Sequence, residues 1–326
     1  MTVQKDEARP EGAGARRVAA IDCGTNSIRL LIADVDPVRR TLTDVYRRLE
    51  IVRLGQGVDK TGRLAPEALE RTLGALAGYA RVVETSQVEA VRMVATSATR
   101  DASNAAEFTR GVVGILGIEP EVLTGDEEAR LSFAGATEEF GAMDDPPAPP
   151  FLVLDIGGGS TEFVVGGGAG QVAAISLNIG CVRMTERYLA SDPPSQEQIA
   201  AAIVDIDAAL AEAAAKVAID QARSLVGLAG SVTTVAAVAL GLPEYDALRT
   251  HHARITAAQV QSVASQLLTQ TRAERAAIPS IHPGRIDVIG AGSLILDRVM
   301  RTFGFGEVVV SEHDILDGIA WSMVTS

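Results

Sequence analysis

Val18-Ala-Ala-Ile-Asp22-Cys-Gly24-Thr-Asn-Ser27, continuing into Ile28-Arg-Leu-Leu-Ile-Ala-Asp-Val35, is the stretch that decides the fold. The first apolar run is strand-length and rich in aliphatic and β-branched side chains, so it reads as a buried strand. The glycine breaks it, and the second apolar run returns beside it, giving a hairpin whose first strand ends on an aspartate. The same grammar recurs 133 positions later in Phe151-Leu-Val-Leu-Asp155-Ile-Gly157-Gly-Gly-Ser160, continuing into Thr161-Glu-Phe-Val-Val165. Each copy is an apolar run, then Asp-x-Gly-x-x-Ser, then another apolar run. Two copies in matched settings predict two domains of related architecture, one per copy.

The chain between and after the copies alternates helix and strand, which predicts an α/β protein with strands covered by helices. Helices are expected over 66–84, 103–116, 126–140, 195–217, 230–240, 256–268, 292–300 and 315–323, with Pro66 in a first turn and Ser195 as an N-cap. Further strands are expected over 88–95, 172–177 and 224–228. Residues 141–150 hold four prolines in ten positions, a density that helices and central strands do not tolerate. The expected organisation is therefore a frayed, disordered tail over 1–17, an N-terminal domain over 18–140, a proline-rich linker over 141–150 and a C-terminal domain over 151–326.

Composition narrows the function. A chain of 326 residues with 47% hydrophobic and 22% charged residues matches a soluble globular protein of two domains. Its formal net charge of -13 opposes non-specific nucleic-acid binding, which needs a basic face. No apolar run is long enough to span a bilayer, and the polar start of the chain has no secretory apolar segment, so no membrane partner and a cytoplasmic location are expected. Cys23 and Cys181 have no partner at metal-ligand spacing and read as small buried hydrophobes.

The two Asp-x-Gly-x-x-Ser loops can bind phosphate. Asp22 and Asp155 at strand ends can hold a divalent cation or its waters. Backbone N–H groups freed by Gly24, Gly157, Gly158 and Gly159, with Asn26 and the hydroxyls of Thr25, Ser27, Ser160 and Thr161, are donors suited to phosphate oxygens. Two such loops facing one another suggest phosphates held from both sides. Gly230 and Ser231, at an expected helix N-terminus, form a further anion site. Glu127 and Glu128 are adjacent on an expected helix and point about 100° apart, so only one can enter a cleft. Asp126 and Glu127 suit a solvated first turn.

These features resemble the acetate/sugar kinase–Hsp70–actin superfold and, within it, the exopolyphosphatase/guanosine pentaphosphatase (Ppx/GppA) family in its short two-domain form. The segments carrying the resemblance are Arg53-Leu-Gly-Gln-Gly57, Ala95-Thr-Ser-Ala-Thr-Arg100, Leu123-Thr-Gly-Asp-Glu-Glu-Ala129, Asp155-Ile-Gly-Gly-Gly-Ser-Thr-Glu162, Ile179-Gly-Cys-Val-Arg183 and Gly227-Leu-Ala-Gly-Ser-Val-Thr-Thr234. His282-Pro-Gly-Arg-Ile-Asp-Val-Ile-Gly-Ala-Gly292 and residues 311–318 extend it to the last helix. The resemblance implies two actin-like domains closing over a phosphate chain in the cleft between them. It implies that Glu128 activates the attacking water and that Glu162 orients water or helps Asp22 and Asp155 bind Mg2+, or Mn2+. It gives Arg100, and more weakly Arg53, the part of a phosphate clamp. Many family members have a second glycine where Ser231 stands, so the phosphate contact there is altered.

The implied activity is exopolyphosphatase, with inorganic polyphosphate as substrate and short chains preferred. Guanosine pentaphosphate (pppGpp) phosphohydrolase is the alternative, using the same residues. A small-molecule kinase and a non-catalytic actin-like role are further alternatives, although the chain offers no recognisable adenosine or acceptor site. A homodimer is expected from short relatives. The histidines read as structural or surface groups, with His313 an outside candidate for substrate contact.

Overall fold

A computed structural model of the chain describes residues 14–167 and 172–324. Five strands form the first sheet: β1 (Arg16–Cys23), β2 (Ser27–Asp36), β3 (Thr41–Ile51), β4 (Ala90–Ala95) and β5 (Glu121–Val122), in the order β3-β2-β1-β4-β5. Six form the second: β6 (Phe151–Ile156), β7 (Thr161–Gly166), β8 (Ala173–Leu177), β9 (Ser224–Leu228), β10 (Arg254–Thr256) and β11 (Glu307–Val310), in the order β10-β11-β9-β6-β7-β8. Both quoted repeats are antiparallel hairpins, β1–β2 and β6–β7. A third antiparallel strand extends each hairpin, and two parallel strands lie on its other side. The series β3-β2-β1-β4-β5 and β8-β7-β6-β9-β11 are thus one pattern used twice. Parallel neighbours need a crossover, and the helices Pro66–Thr85 and Gln196–Lys216 lie in those crossovers.

Side chains alternate across each strand, so one strand feeds two cores. In β1, Ala19, Ile21 and Cys23 face a core with Leu76, Tyr79, Phe108 and Val112. Val18 and Ala20 face the opposite side, against Ile315, Leu316, Ile319 and Trp321. In β6, Leu152, Leu154 and Ile156 join the larger core, while Val153 faces Ala129, Ala136 and Phe140. Asp22 and Asp155 therefore share the parity of Val18 and Val153, which turns them toward the inner faces.

Those inner faces exchange their covering helices. The helix Ile315–Ser322, late in the chain, covers the first sheet, and the helix Gly125–Thr137, early in the chain, covers the second. The expected division at 141–150 separates the two sheets but assigns each of these helices to the sheet it does not cover. Residues 143–150 carry neither helix nor strand, whereas Gly141 and Ala142 end the 3-10 turn Phe140–Ala142. The strand β1 starts at Arg16, inside the stretch expected as a disordered tail, and Arg17 grips Asp34 at 2.7 and 2.8 Å. The rest of that expected tail, 1–13, lies outside the described residues.

Several short elements escaped the sequence reading, and with them β3, β11 and the helix Cys181–Tyr188. β3 is largely solvent-facing and polar, so it lacks an apolar signal, and β11 is only four residues long. The helix Cys181–Tyr188 begins directly behind the second glycine loop, in a segment that carries no cap signal. Ser195 does cap Gln196–Lys216, through a capping box with Gln198.

The two exchanged helices cross at glycines. A Cβ on Gly135 would lie 1.8 Å from the Asp314 carbonyl oxygen, and one on Gly318 would lie 2.0 Å from that of Leu131. These neighbours are backbone and cannot step aside. Gly135→Ala should therefore cost about 3 kcal/mol or more and visibly lower the melting temperature. Gly74→Ala, in open space on the helix Pro66–Thr85, should instead raise stability by about 0.5–1 kcal/mol. Thermal denaturation of both variants tests this reading of the crossing.

Candidate active site

Both glycine loops close with the same bond: the Gly24 N–H donates to Ser27 O, and the Gly157 N–H to Ser160 O, each at 3.0 Å. In the second loop the carbonyls of Gly157, Gly158 and Gly159 accept from Cys181, Val182, Arg183 and Gly180 at 2.9–3.2 Å. The peptide unit is planar and trans, so carbonyls engaged on the outer side turn the N–H groups of Gly158 and Ser160, both on the cavity wall, the other way. In the first loop, Asn26 O accepts from the N–H groups of Val52 and Arg53, and Thr25 O from that of Gly55. The loops meet closely, since a Cβ on Gly158 would lie 2.8 Å from Thr25 Cβ and one on Gly159 would lie 2.5 Å from Ser97 Oγ. Thr25 and Ser97 share a hydrogen bond of 2.8 Å.

Between the loops lies a cavity of about 90 Å³. Asp22, Gly24, Thr25, Asn26 and Ser27 line it from the first repeat, and Asp155, Gly157, Gly158 and Ser160 from the second. Gly230 and Ser231 close one side and Glu128 another. Thr124 caps the helix Gly125–Thr137 through a capping box with Glu127, which holds Glu127 outside. Asp126 is exposed and pairs with Arg130. One step further round the helix, Glu128 turns inward and is buried.

Five residues expected at the site take other places. Arg100 is not on the cavity wall; its Nη1 donates to Glu128 Oε2 at 3.0 Å and to Leu123 O at 2.8 Å. Arg53 pairs across the lobes with Asp287 at 2.9 Å and does not reach the cavity. Thr161 is fully buried and its hydroxyl donates to Ile179 O at 2.7 Å, which removes it as a phosphate donor. Gly159 backs the loop rather than lining the cavity. Glu162, only 1% exposed, lies behind the cavity wall and accepts from Ser176 Oγ at 2.7 Å. His313 is also away from the cleft. It joins His251 and His252 around Glu139, with ring nitrogens 3.0–3.1 Å from that carboxylate. Three of the four histidines thus form one hydrogen-bonded hub. His251 Nδ1 accepts from the Glu312 N–H at 3.1 Å, which leaves the proton on Nε2 and makes this ring a donor to Glu139.

Arg29 and Arg285 line the cavity and were not singled out from the sequence. Arg29 had a signal, because a lone charge within Ile28-Arg-Leu-Leu-Ile must find a buried partner. It pairs with Asp22 at 2.7 Å and with Asp314. Arg285 donates to Gly230 O and Thr234 Oγ1, at 3.0 and 3.1 Å. Burial lowers its pKa and the charge of Glu312 opposes that shift; its hydrogen-bond partners among the described residues are neutral, so it can still face an anion.

The carboxylates are crowded. Burial pushes Glu128 up to about 7, partly offset by Arg100. Burial and the charge of Asp314 push Asp155 up to about 6, while a 2.7 Å bond from Ser132 Oγ opposes the shift. Burial also raises Asp22 and, with the charges of Glu128 and Asp155, raises Glu162 well above the usual range. Asp22 Oδ1 is buried with no hydrogen-bond partner among the described residues. An orphaned carboxylate oxygen in a cavity also lined by Asp155 and Glu128 suits a hard divalent cation held through one or two carboxylates and water, so the residues fit Mg2+ or Mn2+, although the one group of three ligand atoms within 4.8 Å of one another among the described residues is Glu139, His251 and His313.

Comparison with known proteins agrees with this geometry. The model of the Ppx/GppA phosphatase family matches residues 31–326. The chain is 49% identical to exopolyphosphatase 2 of Mycobacterium tuberculosis over 318 residues, covering 94% of this chain and 98% of that one. A solved exopolyphosphatase-like protein superposes with a TM-score of 0.90 at 46% identity, covering 95% and 98% of the two chains. The Aquifex aeolicus Ppx/GppA enzyme superposes with a TM-score of 0.78 at 32% identity, covering 94% and 99%. With duplicated sheets, facing glycine loops and an acidic cleft between them, this chain is a phosphatase and belongs to the Ppx/GppA phosphatase family.

Proposed function

We propose that this phosphatase is an exopolyphosphatase, hydrolysing the terminal phosphoanhydride of inorganic polyphosphate with Glu128 as the base. Glu128 supports this reading more than any other residue. Its carboxylate is buried on the wall of the cavity that both loops line, is held by Arg100 and has its pKa pushed up to about 7. A general base works best with a pKa near the working pH, and hydrolysis needs such a base within reach of a water beside the terminal phosphorus. Glu128 takes the proton as that water attacks. The loop N–H groups, the Ser27 hydroxyl and Arg285 hold the phosphate oxygens in line. Arg100 acts through Glu128 by orienting its carboxylate. Asp22 and Asp155 would hold Mg2+ or Mn2+, with Glu162 behind them, and the cation would supply charge neutralisation for the phosphates.

A second reading, phosphohydrolase of guanosine pentaphosphate, is favoured by a larger adjoining cavity of about 520 Å³. It is lined by Tyr245, Pro283 and Leu316 as well as by Arg47, Arg48 and His282. A bare phosphate chain has no apolar surface to place there, whereas a nucleoside does.

Phosphate release from short polyphosphate and from guanosine pentaphosphate, measured side by side with Mg2+, separates the two readings. Glu128→Gln should lower kcat about 10²–10⁴-fold on the true substrate. Glu127→Gln, one position away on the outer face, should turn over near wild-type rates. Equal activity in Glu128→Gln would remove it as the base.

Metal-free protein should also lose stability as pH rises. Glu128 and Asp155 bind protons more tightly folded than unfolded, so their contribution is full below pH ~4, the unfolded carboxylate range. It is lost as pH climbs through about 6 and about 7, the folded values. Melting curves in a chelator should fall across that window, and Mg2+ should restore the loss at the alkaline end. A flat profile with no Mg2+ effect would argue against a cation site at these carboxylates.

A further inference from the structure

Asp314 caps the helix Ile315–Ser322 and reaches the first sheet. Its Oδ1 accepts from the Leu316 N–H at 3.0 Å, its Oδ2 accepts from Arg29 Nη1, and its own N–H donates to Asp317 Oδ2 at 3.0 Å. Asp317 in turn accepts from Arg47 of β3. Asp314 is 4% exposed, with both oxygens committed. It stands in a capping box that fixes its backbone.

Arg29 carries this order into the cleft. Its Nε and Nη2 both donate to one oxygen of Asp22, Oδ2, at 3.1 and 2.7 Å. A guanidinium is a rigid plane, so fixing Nη1 on Asp314 fixes the plane in which Nε and Nη2 meet Asp22. The doubly held Oδ2 leaves Oδ1 as the free oxygen of Asp22, and Oδ1 is the orphaned atom. Asp314 also shares the charge of Arg29. Without it, that charge would fall wholly on Asp22 and weaken its carboxylate as a cation ligand.

We propose that Asp314 is a positioning residue: acting through Arg29, it holds Asp22 with Oδ1 presented to the cleft and so sets the affinity of the site for a divalent cation. This rests on the reading of Asp22 as a cation ligand given above. Partners that orient a ligand from behind typically change metal affinity about 10–100-fold when removed.

The test is Mn2+ binding to the full chain without substrate, followed by the electron paramagnetic resonance of free Mn2+. Asp314→Asn keeps a capping oxygen for Leu316 but removes the negative charge that faces Arg29. Its Mn2+ dissociation constant should rise about 10–100-fold, and phosphatase activity should recover as Mn2+ is raised. Arg29→Lys, which cannot span both carboxylates, should show the same loss and replaces Asp314→Asn if that variant fails to fold. Asp317→Asn, which loosens the same helix end from Arg47 without touching Arg29, should bind Mn2+ like the wild type. Wild-type affinity in Asp314→Asn and Arg29→Lys, with binding lost in Asp22→Asn, overturns the proposal and leaves the cation-ligand reading intact. An equal loss in Asp317→Asn also overturns it, by tracing the effect to the helix end. Wild-type binding in Asp22→Asn removes the cation-ligand reading, and the proposal with it.

Discussion

Seven residues after each loop aspartate a charged side chain faces it across a hairpin, and the sign differs between the two halves. Asp22 is in register with Arg29 across β1–β2, and Asp155 with Glu162 across β6–β7. The first half neutralises its aspartate internally. The second half sets two carboxylates side by side, and Glu128 adds a third from the exchanged helix. Buried like charges cannot all ionise without help, so the cleft must take up protons or a cation. That imbalance gives two related sheets one asymmetric site, with a neutralised wall on one side and an acidic wall on the other.

The exchanged helices decide where these charges stand. Glu128 comes from the early helix that covers the second sheet, and Asp314 from the late helix that covers the first. Their crossing at Gly135 and Gly318 lets the backbones touch, so a shift of one helix is felt by the other. The candidate base and the residue that steadies Arg29 are therefore joined through main chain rather than through flexible side chains. Glu139, just beyond the early helix, repeats the link by gathering His251, His252 and His313 from the second half of the chain.

Much of this arrangement was legible in the sequence because local chemistry enforces it. A glycine turn between two apolar runs leaves few alternatives to a hairpin, and adjacent glutamates on one helix must diverge. What stayed hidden depends on tertiary placement. Arg100 and Arg53 lie in segments that suggested phosphate clamps, yet each meets a carboxylate first, Glu128 and Asp287. Thr161 carries a hydroxyl at the right offset, but strand pairing turns it into the core, where it donates its hydrogen bond to Ile179 O. Arg29 was visible as an anomaly, a cation within an apolar strand, and the equal spacing of Asp22–Arg29 and Asp155–Glu162 was available to be noticed. Arg285 offered no such cue, since its importance comes from what does not pair with it.

The overall charge of -13 sets the last constraint. A polyanion approaching this surface is repelled at long range, with screening over about 8 Å at physiological ionic strength. Attraction must come from short-range donors, and these are concentrated at the cleft: two sets of loop N–H groups, Arg285, and the arginines of the adjoining cavity. Arg29 and Arg47 are already paired with Asp314 and Asp317, whereas Arg285, at the junction of the two cavities, has no salt bridge among the described residues. Under the proposed reading, a phosphate chain bound there would meet a cation held at the orphaned oxygen of Asp22. That cation, with the protons that burial keeps on the acidic wall, would let a cleft so rich in carboxylates serve a polyanionic substrate.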